Sequence, residues 1–338
     1  MNKSFFKSIL ATTAVSFFGM AAMGNVANAS SETELRGAWA EMVGGEGRGV
    51  ATILKMVSMT RFDCMIGSSS GMRQAAVQAL HHCSYRAAFG KRLFEQPLMQ
   101  NVLADLVIEH EAALALTMRI GRALDSHTEA EKLLVRMGTA VGKYWICKRT
   151  PAHAVEAMEC IGGSGVMEDC IMPRLFRESP VNSIWEGSGN VQCLDMLRAM
   201  HRNPGSMEIY MAEVKAAGGS DRHLDQFVAQ LDTELADLSD IEYRARGVVE
   251  KMALALQGSL LVRHGNAAIA DAFCASRLSG QSSGLTFGNL PRGVDCAGII
   301  VEKIPERAII ETAQELGADL FIIGNDQKKG LTRKLTGQ

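Results

Sequence analysis

Three short segments place glycine beside polar or charged side chains where helix-periodic stretches stop or start. They are Arg86-Ala87-Ala88-Phe89-Gly90-Lys91-Arg92-Leu93-Phe94-Glu95-Gln96, Glu159-Cys160-Ile161-Gly162-Gly163-Ser164-Gly165 and Ile184-Trp185-Glu186-Gly187-Ser188-Gly189-Asn190. A helix end leaves backbone N–H or C=O groups without partners, and glycine lets a ligand come close to them. Taken singly, each segment reads as an ordinary helix cap, and Glu186 as a solvated carboxylate favoured by a helix N-terminus. His81-His82-Cys83 offers metal-binding atoms, but adjacent helical residues point about 100° apart and cannot chelate together. No Cys/His grouping has zinc spacing.

The elements that must position these segments are helical. Ile53, Leu54, Val57, Phe62 and Ile66 approximate helical spacing. They predict a helix from about Val50 to Ala88, bent at Ser68-Ser69-Ser70-Gly71 and stopped by Phe89-Gly90. A second helix starts near Gln96-Pro97 with a stripe of Leu98, Val102, Leu106, Ala113, Leu116, Ile120 and Leu124. A third runs from about Glu129 to Ile161, ending at Gly162-Gly163. A fourth covers about Gly189 to Met200, before Asn203-Pro204-Gly205. Short loops between long helices predict an antiparallel bundle. Further helical patterns fill Ser206 to Arg277, broken at Gly218-Gly219-Ser220, and a Gly/Ser-rich loop follows. Pro305 to Leu316 then reads as a short helix and Ala318 to Gly324 as a buried strand. The expected fold class is mainly α: an antiparallel bundle over residues 30–204, a helical extension over 205–297 and a short truncated α/β tail over 298–338.

Residues 1–29 have the three parts of a signal peptide: Lys3 and Lys7, an apolar stretch from Ile9 to Met23, and Ala27-Asn28-Ala29 at a cleavage site. Export, with no membrane attachment after cleavage, is the expectation from that segment. The eight cysteines point the other way, because most sit among apolar helical neighbours and read as buried thiols of a cytosolic protein. A net charge of −2 without a long basic run does not fit a strongly electrostatic nucleic-acid binder.

Together, in this order and spacing, the three segments resemble the C-terminal helical domain of the acyl-CoA dehydrogenases, which are flavin enzymes. Arg61 within TRFD fits that domain's first helix. MTRFDC, EQPLM, ICKR and PVNSIWEGSGN resemble the AidB-like, alkylation-response branch. The resemblance implies that Glu186 is the catalytic base, removing the α-proton of an acyl-CoA-type substrate while flavin N5 accepts the β-hydride. A carboxylate suits this weakly acidic proton, and partial desolvation strengthens it as a base. By the same resemblance Arg86, Phe89, Gln96, Gly162 and Gly163 belong to segments that hold FAD, partly across a subunit interface. Gly187, Ser188 and Asn190 are expected near its diphosphate or ribityl chain. Arg86 suits a pyrophosphate because a guanidinium donates two parallel hydrogen bonds. A homo-oligomer is therefore expected.

In the family, a helical domain and a β-domain precede this bundle. Here the signal-like segment runs directly into it, so impaired catalysis and weak FAD retention by this chain alone are the expectations. The branch is associated with DNA through a basic C-terminal region. In this chain residues 205–296 carry eight Lys/Arg against twelve Asp/Glu, so DNA binding is not expected. The tail resembles the end of a universal stress protein domain. Gly324 and Gly337 have that family's separation, but Gln327 replaces the middle glycine of its nucleotide loop. Alternative readings are a non-catalytic helical module that oligomerises and a composite protein with a stress-response role.

Overall fold

A computed structural model describes residues 34–280 and 286–303. The signal-like segment up to Ala29 and the expected Pro305–Leu316 helix and Ala318–Gly324 strand lie outside the described residues. Three long helices form the bundle: α1 (Gly49–Tyr85), α2 (Pro97–Asp125) and α3 (Glu129–Ile161). A short α4 (Met172–Glu178) leads to α5 (Gly189–Arg202). Then come α6 (Ser206–Lys215), α7 (Arg222–Ala236), α8 (Ile241–His264), α9 (Ala267–Phe273) and α10 (Cys296–Glu302). Among the described residues no helix is long and apolar enough to cross a membrane.

Local chemistry accounts for most helix starts. Pro97 opens α2, where its missing N–H would have had no partner. Thr128 caps α3 by accepting from the Glu131 N–H, and Asp221 caps α7 by accepting from the N–H groups of His223 and Leu224. The structure corrects the sequence reading at two places. Helix α1 runs unbroken through Ser68–Gly71, and Phe89-Gly90 does not stop it. The helix ends at Tyr85, and Phe89-Gly90 is the two-residue turn of a small hairpin that pairs Ala87 with Arg92 and Ala88 with Lys91. Both turn residues have positive φ, 53° and 80°, as a type I′ connection requires.

Helix α3 is the axis of the molecule. It packs against α1, α2, α5, α6 and α8, and eighteen of its thirty-three residues are buried. Gly138 and Gly142 make this close approach possible. A Cβ at Gly138 would strike Ile120 of α2, and one at Gly142 would strike Met65 of α1. Helices α6 to α10 continue the same core, which runs without a break from Met65 to Ile300. All eight cysteines are free thiols, six of them buried, as their apolar surroundings in the sequence imply. A charged cluster also lies inside. Arg277 meets both Asp105 and Glu109 of α2, and Arg149 of α3 grips Glu109 at 3.0 Å. Asp105 further accepts from the Gly288 N–H at 2.9 Å, tying the 286–290 loop to α2.

Candidate functional site

The segment between α4 and α5 carries Glu186 on a strained turn. Glu186 has φ 56° and Gly187 φ 100°, so two successive residues are left-handed. At Gly187 only glycine fits. A Cβ would lie 2.8 Å from Gln192 Nε2, 2.9 Å from Val191 Cγ1 and 3.3 Å from the Arg61 guanidinium. Gly187→Ala is expected to lower stability by about 1–3 kcal/mol and to displace the Glu186 turn, through strain at positive φ and crowding. A urea titration that superimposes on wild type would contradict this.

Side chains from α1, α3 and α5 hold the turn. Arg61 Nε donates to the Glu186 carbonyl at 2.9 Å, and its Nη1 bonds Asp195 at 2.8 Å. Asp195 also takes a two-pronged bond from Arg136, at 2.8 and 2.9 Å. Gln192 Nε2 donates to the Glu186 and Gly187 carbonyls at 3.2 and 2.9 Å. Lys143 reaches the turn from inside the bundle, donating to the carbonyls of Asn182, Trp185 and Gly187. Burial pushes the Lys143 ammonium below its usual range.

The Glu186 carboxylate is half-buried, and its Oε2 accepts from Thr60 Oγ1 at 2.8 Å. The same hydroxyl lies 3.1 Å from the Val57 carbonyl, so its single proton serves two acceptors. Burial, and then the Glu186 charge, raise the pKa of Asp63. Beside this turn, between α1, α3 and α5, opens a cleft of about 380 Å³. Leu54, Val57 and Ala140 form its apolar wall, and among the described residues Arg61, Arg136, Arg198 and Arg202 line it with Asp195 as the single acid.

The residues expected to hold a cofactor fall into two groups. Gly187, Ser188 and Asn190 accompany Glu186 near Thr60, with the Asn190 side chain 3.4 Å from Arg246. Arg86, Phe89, Gln96, Gly162 and Gly163 gather at the opposite end of the bundle. The C-terminal ends of α1 and α3 meet there, as the Cys83 thiol donating to the Cys160 carbonyl at 3.6 Å shows. From Arg61 to that end α1 extends roughly 35 Å, at about 1.5 Å per residue. One chain therefore does not bring the nine residues into one site. At the far end Arg86 is exposed, Phe89 is 99% exposed on the hairpin tip, and among the described residues no neighbour crowds the glycine faces of Gly162 and Gly163. Gln96 Nε2 donates to the Ala88 carbonyl at 3.1 Å, bracing the hairpin. An open guanidinium, an exposed ring and bare backbone fit a flat, phosphate-bearing group lying across this surface.

Sequence reasoning missed Lys143, Arg136, Asp195 and the arginine cleft. Lys143 left a signal, a lone charge within the apolar run Met137–Cys147. Arg61 was singled out only through TRFD; Asp195 and Arg136 left no signal, because what brings them together is the packing of α1, α3 and α5.

Residues 47–201 match the family model for the acyl-CoA dehydrogenase C-terminal domain, and this helical region is such a domain. It is of the AidB-like kind: the chain is 40% identical over 253 residues to the AidB protein of Escherichia coli K12, covering 75% of this chain and 46% of that one. Acyl-CoA dehydrogenase family member 11 of Caenorhabditis elegans is 29% identical over 259 residues, covering 70% of this chain and 42% of the relative. The crystal structure of ACDH-11 of the same organism, in complex with C11-CoA, shares the fold. Its TM-score is 0.61 at 23% identity, over 83% of this chain and 50% of that one. The chain spans about half the length of the curated relatives it matches.

Proposed function

We propose that the protein carries out acyl-CoA dehydrogenase chemistry, with Glu186 as the base that takes the α-proton of an acyl-CoA thioester. The observation that carries this reading is Arg61. It holds the Glu186 carbonyl with Nε, bonds Asp195 with Nη1 and is one of the residues lining the arginine cleft, so base and anion site share one residue. Four guanidiniums against one carboxylate suit the phosphates of a coenzyme A nucleotide, and Leu54, Val57 and Ala140 suit the methyl and methylene carbons of its pantetheine arm. The Glu186 carboxylate receives the proton, and Thr60 releases or retakes its hydrogen bond as the carboxylate changes charge. Rigid support of the turn by Arg61, Gln192 and Lys143 keeps the carboxylate aimed, so little reorganisation accompanies proton transfer. When bound, FAD would supply the hydride acceptor that completes oxidation to the enoyl-CoA. Gly187, Ser188 and Asn190 would hold it beside Glu186. Arg86, Phe89, Gln96, Gly162 and Gly163 would hold the FAD of a neighbouring copy, which requires a homo-oligomer.

The test is calorimetric. Replacing Arg198 and Arg202 together with Ala is expected to weaken acyl-CoA binding by about tenfold or more, since each phosphate contact to a charged donor is worth roughly 1.5–3 kcal/mol. The same variant should bind an acyl-pantetheine, which lacks the nucleotide phosphates, as wild type does. Unchanged acyl-CoA affinity would overturn the assignment of the cleft.

A further inference from the structure

Lys143 is 1% exposed in the centre of α3, a place where Leu or Met would pack at no electrostatic cost. Burying an ammonium is costly unless each of its protons is bonded. Here all three are, each at 2.9 Å, and all to main-chain carbonyls of one segment: Asn182, Trp185 and Gly187. These carbonyls flank Glu186 on both sides. The Trp185 carbonyl belongs to the peptide plane from which the φ of Glu186 is measured, and that φ is 56°. Left-handed backbone at a glutamate is unfavourable by itself, so something outside the turn must maintain it. Around the ammonium stand Arg61 and Cys64 of α1, Cys147 of α3 and the Glu186 carboxylate.

We propose that Lys143 is the positioning residue of the site: its ammonium clamps the carbonyls on either side of Glu186 and so fixes where the carboxylate points. Its effect on turnover rests on Glu186 being the base, whereas its hold on the turn does not.

The experiment uses the full chain and Lys143→Ala, with hydrogen exchange of the Trp185–Ser188 amides read by mass spectrometry. Exchange there is expected to rise by about a hundredfold, beyond any change in α2, because three charge-assisted bonds are lost at one turn. Propylammonium fills the space left by the lysine stem and should restore protection, whereas 1-propanol, of similar size but uncharged, should not. In turnover, kcat should fall while the KM for acyl-CoA stays within about threefold, and propylammonium should raise kcat again. If the alanine variant does not fold, Lys143→Met, which keeps the volume, carries the exchange and kcat measurements. Unchanged exchange at Trp185–Ser188, or equal rescue by 1-propanol, would overturn the proposal. Restored protection in a chain without acyl-CoA turnover would leave the clamp standing and overturn the proposed activity instead.

Discussion

Glu186→Gln is expected to lower acyl-CoA oxidation by about two to four orders of magnitude, the usual loss when a general base is removed. Glutamine keeps the shape of the side chain and can still take the Thr60 hydrogen bond through its amide oxygen, so the turn should stay where it is. Arg61, Gln192 and Lys143 all grip main-chain carbonyls, which the substitution does not alter. The loss should therefore fall on kcat, with acyl-CoA affinity and flavin content close to wild type. Steady-state rates measured on FAD-supplemented protein check this, and a variant within about tenfold of wild type would place the base elsewhere.

The second large effect is on stability. Arg277 closes the buried cluster formed by Asp105, Glu109 and Arg149, and its removal leaves two interior carboxylates facing one cation. Breaking a buried pair by deleting one partner costs about 3–5 kcal/mol, and Arg277→Ala should lie in that range by urea unfolding at pH 7. The pH dependence has a definite sign. Burial opposes ionisation of Glu109, but Arg149 and Arg277 outweigh it and hold the carboxyl down at about 2, against 4.5 for the free group. A depressed folded-state pKa means stability that is complete above pH 4.5 and is lost as pH falls toward 2. In the variant Glu109 keeps Arg149 alone, so less of this stability is there to lose. The gap between the two proteins should narrow as pH drops through that window. A gap that widens would mean the cluster is not held by charge pairing.

Much of the bundle was legible because its helices carry their own signals. The apolar stripe of α2, Pro97 at its start and the glycine pair after Ile161 all act within a few residues of chain, and the predicted span of α3 matches the structure. The hairpin was not legible. Its strands are two residues each, too short for any period, and a Phe-Gly pair reads equally well as a helix stop. Helix α1 runs through three serines and a glycine because Ser68 and Ser69 are buried against the bundle, a tertiary effect that local propensity does not contain. Glu186 stood out through its glycine-rich neighbours. The bonds that hold it were not legible, since Arg61 lies 125 residues from the Glu186 carbonyl and Lys143 44 residues from that of Gly187. Only the crossing of α1, α3 and α5 brings them together.

The central claim is that Glu186 takes a proton from the α-carbon of an acyl-CoA in the step that reduces flavin. It is tested most directly by anaerobic mixing of FAD-loaded protein with a saturated acyl-CoA, with and without deuterium at Cα, while the oxidised flavin band is followed. The expected result is bleaching that slows several-fold with the deuterated substrate and is absent on the same timescale in Glu186→Gln. Bleaching at equal rates in wild type and Glu186→Gln, insensitive to α-deuterium, would contradict it.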